Sequence, residues 1–125
     1  MREITVNMGM MDYDINFLIG SVKNVEEYVS YKFEYDKFEL GKHQAYGWHF
    51  YLEDYCSIVW VPHFPRTPRE YGTFFHEISH AIIRMMDWAG VTINIENDEV
   101  FCHALRHLGQ KVLEQRKSKK VQIDV

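Results

Sequence analysis

The stretch Thr67–Gly90, TPREYGTFFHEISHAIIRMMDWAG, decides how the fold is read. Thr67 stands where a hydroxyl caps a helix, Pro68 suits the first helical position, and Glu70 lies three residues after the cap, where its carboxylate can return a hydrogen bond. Gly90 marks the end, because glycine enters the left-handed conformation at no steric cost. Between these ends Phe74, Ile78, Ala81, Ile82, Met85 and Ala89 recur at helical spacing and predict one buried stripe. His76, Glu77 and His80 fall outside that stripe.

After the helix, Val91–Ile95 (VTINI) reads as a short strand, and a last helix is expected from Asp98 to Arg116, burying Phe101, Ala104, Leu105, Leu108 and Val112. Residues 117–125 read as a basic tail, the solvated end of that helix. Before the capped helix, Pro62, Pro65 and Pro68 interrupt regular structure. Further back, AYGWHFYL places Tyr46, Trp48, Phe50 and Leu52 on one face, and after Glu53-Asp54 the chain returns as Cys56–Val61, a hairpin signal. Trp48, Trp60 and Trp88 read as core or core-edge residues. Asn24 is expected to cap a short helix carrying Val25, Tyr28, Val29 and Phe33, with Glu27 three residues on. Glu3–Asn7 and Ile15–Ile19 are strand candidates, joined by a turn over Met8–Asp14.

The expectation is a single α+β domain over residues 1–125, with a small, mostly antiparallel sheet packed on the capped helix and a second, C-terminal helix. At 125 residues, 46% of them hydrophobic, the chain is large enough for one core and too short for two. A formal charge of −4 gives no basic footprint for nucleic acid. Cys56 and Cys102 are too few for a disulfide scaffold and read as buried free thiols. The N-terminus lacks a signal-peptide pattern and no apolar run reaches spanning length, so a cytoplasmic protein without membrane contact is expected.

Chemistry is concentrated at His76-Glu77-Ile78-Ser79-His80. On a helix the two histidines lie about 40° apart around the axis and about 6 Å apart along it, so both imidazoles can reach one tetrahedral ion. Glu77 is turned about 60° from His80, beside the position of a metal-activated water, and reads as a general base. A catalytic zinc site normally has three protein ligands. Glu99 is the candidate for the third, nineteen residues after His80 on the first turn of the next helix, with Asp98 and Glu96 as the neighbours that would replace it. His103 repeats the four-residue spacing with His107; it can support or polarise substrate, ligate, or be structural, whereas His107 turns about 80° from Glu99 and reads as solvated. His43, His49 and His63 have no partner at ligand spacing and read as strand or loop residues.

These residues resemble the zincin metallopeptidases, in particular the gluzincin arrangement, in which a glutamate on a following helix completes the site. Small phage- or prophage-associated zincin-like proteins are similar over SIVWVP, HEISHAI and DEVFCHALRHL, roughly residues 57 to 108. The resemblance implies one Zn²⁺ on His76, His80 and Glu99, with Glu77 as catalytic base. At His103 the related segment often carries tyrosine, so its part in catalysis is the point of departure. The expected activity is hydrolysis of amide bonds in a peptide or protein, with Cys56–Val61 or its hairpin partner as the edge that holds substrate. The alternatives are a non-catalytic module of the same fold, such as a phage component, and an amidase acting on a non-protein substrate.

Overall fold

A computed structural model describes residues 1–32, 47–53, 56–116 and 120–124. Phe33, His43, Tyr46 and Asp54, which figure in the sequence reading, lie outside the described residues. In chain order the elements are β1 (Arg2–Asn7), a 3-10 turn (Gly9–Met11), β2 (Asp14–Ile19), α1 (Val22–Lys32), β3 (Trp48–Glu53), β4 (Cys56–Val61), α2 (Pro68–Trp88), α3 (Asp98–Leu113) and β5 (Lys120–Asp124).

The strands form one sheet in the order β3-β4-β2-β1-β5. β1 with β2 and β3 with β4 are antiparallel, whereas β2 with β4 and β1 with β5 are parallel. The sheet is therefore mixed rather than mostly antiparallel. Long connections cause this: α1 and β3 intervene between β2 and β4, and a chain that crosses over a sheet can rejoin it in the same direction. The expected basic tail is replaced in part by β5, whose alternating Val121 and Ile123 lie in register with Ile4 and Val6. β4 is paired on both sides, which removes Cys56–Val61 as a free binding edge and leaves β3 at the border of the sheet.

Strand alternation divides the interior in two. Ile4, Val6, Ile15, Phe17, Ile19, Val59 and Val61 pack with Phe74, Ile78, Ile82 and Met85 of α2 and with Ala104, Leu108 and Val112 of α3. Leu18, Ile58 and Trp60 pack instead with Val25 and Val29 of α1, joined by Trp48 and Phe50. Helix α1 thus covers one face of the sheet, and α2 with α3 covers the other. Since successive side chains in a strand point to opposite faces, His49 is sent toward α2.

The helix ends explain where the sequence reading held and where it slipped. α2 has its full capping box: Thr67 Oγ1 accepts from Glu70 N at 3.2 Å and Glu70 Oε1 accepts from Thr67 N at 3.1 Å. Its C-terminus closes at Gly90, φ 73°, with Gly90 N donating to Asp87 O and Val91 N to Met86 O, the paired bonds of a Schellman turn. Ala89, expected in the stripe, is the C-cap and is exposed; Met86 is buried in its place. α1 starts before Asn24, because the Ser21 hydroxyl already accepts from Asn24 N at 3.3 Å. Val91–Ile95 is not a strand: Asn94 Oδ1 accepts from Glu96 N and Asn97 N, closing a turn, and Ile95 is 91% exposed. In α3, Phe101 and Leu105 are only partly buried, while Gly109 lets the helix approach α2: a Cβ there would lie 2.6 Å from Phe75 Cε1. Cys56 is a buried free thiol as expected, but Cys102 is exposed.

Candidate metal centre

His76, Glu77 and His80 occupy the outer side of α2, and Met85 of the buried stripe lies about 180° around the axis from His76. The two Nε2 atoms stand 3.2 Å apart, with the rings edge to face and their centroids 4.8 Å apart. Two nitrogens bound to zinc at about 2.05 Å in a tetrahedron are about 3.3 Å apart, so the pair fits two adjoining positions of such an ion. Without an ion the same separation serves an N–H···N hydrogen bond from one ring to the other.

Glu77 differs from its neighbours in exposure. Its side chain is 13% exposed against 67% for His76, and its Oε1 lies 4.0 Å from His76 Nε2. Gly47, just before β3, comes close to this side of α2: a Cβ there would lie 2.9 Å from Thr73 Cγ2 and 3.4 Å from Glu77 Cγ. A carboxylate largely screened from water beside an imidazole pair is placed to exchange a proton with a bound nucleophile.

His49 completes the cluster from the sheet. Its ring stacks on that of His80, centroids 5.8 Å apart and planes 17° apart. Behind it, His49 Nε2 meets Ser57 Oγ at 3.0 Å, and Ser57 Oγ meets the Tyr13 hydroxyl at 2.5 Å. Ser57 and Tyr13 are fully buried, which rules out Ser57 as a nucleophile toward substrate despite its histidine partner. Burial lowers the His49 pKa to about 4, helped by the positive charge that His80 and Arg84 can carry, so the ring is neutral at pH 7. Burial also raises the Tyr13 pKa, against the opposing effect of the Ser57 hydrogen bond. Residue spacing gave no hint of His49 at this centre; strand parity, which places it opposite Trp48 and Phe50, was the available signal.

The remaining candidates are not gathered here. Glu99 and His103 line a separate hollow of about 570 Å³ with His107, Met8, Met11 and Met85. Since Met85 lies on the opposite side of α2 from His76, the first turn of α3 stands over the core edge and not over the histidine pair. Among the described residues no group of three or more His, Cys, Asp or Glu side chains is arranged to hold a metal ion. His107 is half-buried and stacks on the exposed His103, with centroids 6.3 Å apart. His63, expected in a loop, bridges Arg66 and Glu70 at the start of α2.

Beside the centre, Trp48, His49, Phe50, His80, Ile83, Arg84 and Asp87 line an open groove of about 570 Å³ between β3 and α2. Comparison of the chain with models of known families, with curated proteins and with solved structures found no match in any of the three. No helix among the described residues is long and apolar enough to cross a membrane.

Proposed function

We propose that the chain is a metal-dependent hydrolase of zincin-like layout that cleaves peptide amide bonds, with zinc held by His76 and His80 and with Glu77 as general base. One observation carries the reading: two imidazole Nε2 atoms 3.2 Å apart, flanked by a mostly buried carboxylate. Zinc held there supplies Lewis acidity, which makes water acidic enough to react near neutral pH. The Glu77 carboxylate accepts the proton of the attacking water and returns it to the leaving nitrogen. The Glu77 side chain is largely screened from water, which strengthens its hydrogen bond to the reacting group. β3, unpaired on its outer side in the described sheet, and the groove beside it suit an extended peptide.

The pair supplies two protein donors where a catalytic zinc site commonly has three. That shortfall among the described residues favours one rival, a non-catalytic module in which His76 and His80 hydrogen-bond to each other. Zinc content after reconstitution, followed by peptide-library hydrolysis, separates the two. The hydrolase reading expects about one zinc per chain, loss of zinc in His76→Ala and His80→Ala, and a Glu77→Gln variant that keeps zinc while turnover falls about 10²- to 10⁴-fold. Absence of bound zinc, or a Glu77→Gln variant as active as the parent, overturns it.

A further inference from the structure

We propose that His49 is a positioning residue for His80: a buried hydrogen-bonded column, Tyr13–Ser57–His49, presents a fixed imidazole face on which the His80 ring is held in its ligating orientation. The inference rests on the reading of His76 and His80 as the metal-holding pair and adds a group from the sheet that residue spacing does not associate with them.

Exposed histidines on a helix ordinarily exchange rotamers, and choosing one of them has an entropic cost on binding. His76 and His80 are both exposed. His80 nevertheless has a ring on each side: His49 parallel at 5.8 Å, and His76 edge-on at 4.8 Å. A stacking partner restrains only if it is itself immobile. His49 qualifies, because its Nε2 is tied to Ser57 Oγ at 3.0 Å and that oxygen is tied to the Tyr13 hydroxyl at 2.5 Å. Tyr13 and Ser57 are 0% exposed, so water does not compete for the hydrogen bond between them. The column crosses from the segment before β2, through β4, to β3, and it transmits the rigidity of the sheet to one side chain of α2. Preorganisation of this kind raises metal affinity by removing the ordering cost at the moment of binding.

The test uses His49→Ala, His49→Phe and Ser57→Ala in the full chain. The first readout is the ¹⁵N and ¹H signals of the His80 ring in metal-free protein; the second is affinity for zinc ion alone, by chelator competition. In the parent, His80 is expected to show one restrained ring state. His49→Ala should give averaged ring signals and roughly tenfold weaker zinc binding. His49→Phe, which keeps a flat face without the hydrogen bond, and Ser57→Ala, which leaves the imidazole untied, should both fall between His49→Ala and the parent. Unchanged His80 signals in His49→Ala overturn the proposal, as does a His49→Phe variant no better than His49→Ala. If the parent binds no zinc, the metal reading fails by itself, and the ring signals of the metal-free protein still decide the positioning role.

Discussion

The main chain of Gly47 lies against the side chain of Glu77: a Cβ at position 47 would stand 3.4 Å from Glu77 Cγ and 2.9 Å from Thr73 Cγ2. Gly47→Ala therefore forces α2 and the start of β3 apart or turns Thr73 aside. The expected loss is about 1–3 kcal/mol, read as a shift in denaturant midpoint. Hydrolysis measured well below the melting range should fall as well, because the added methyl group presses on the turn of α2 that carries Glu77. A variant as stable and active as the parent would show that the contact carries no constraint.

Glu99→Ala distinguishes the arrangement described here from the one that the sequence resemblance implies. With Glu99 in the hollow beside Met8, Met11 and Met85, the substitution should leave zinc stoichiometry and affinity within about twofold of the parent. His80→Ala should abolish binding in the same titration. Loss of zinc in Glu99→Ala would place that carboxylate at the metal and refute the separation of the two sites.

The depressed pKa of His49 gives metal-free protein a defined pH response. Unfolded chain protonates this ring near 6.5, folded chain only near 4. Between those values the unfolded state binds more protons, so stability falls as pH drops from 6.5 toward 4 and is unaffected by this group above 6.5. His49→Phe removes the term: the stability gap between variant and parent should be flat above pH 6.5 and shift in favour of the variant below it. Parallel stability curves from pH 7 to 4 would contradict the assignment.

At the head of α2, Thr67→Ala removes the hydroxyl that accepts from Glu70 N and should cost about 1 kcal/mol in thermal or denaturant unfolding. The Glu70 carboxyl is held below its ordinary range, first by the Arg66 main-chain hydrogen bond, then by His63 and the Thr67 main chain. Its contribution is present above the unfolded carboxylate range and is lost as pH falls through the lowered folded value. Glu70→Gln should flatten that acidic limb. An unchanged limb would show that the box is held by the hydroxyl alone.

Local chemistry made some parts of this chain legible. The capping box and Gly90 bounded α2 because both act within four residues, and alternation made the β3–β4 hairpin readable for the same reason. Pairings at long range were hidden. Val121 and Ile123 alternate as a strand should, but the lysine-rich run before them reads as solvated chain until β1 is seen beside residues 120–124. Val91–Ile95 has strand composition, yet the Asn94 side chain offers its main chain a nearer partner. The same limit applies to the site. His76, Glu77 and His80 share one helix, so spacing alone brings them together, whereas placing Glu99 required the crossing of α3 over α2, which Gly109 and Phe75 set. His49 required knowing which face of β3 meets α2.

The parallel pairing of β1 with β5 has a consequence for biosynthesis. β1 emerges from the ribosome before every other described element, and its partner on one side, residues 120–124, emerges after them all. Until then β1 is the border of a four-stranded sheet and offers an open row of main-chain donors and acceptors to any other strand nearby. The nascent chain thus carries that open edge until residues 120–124 have been made. Deletion of residues 117–125 would make that transient state permanent, with soluble yield falling before any change at the histidine pair.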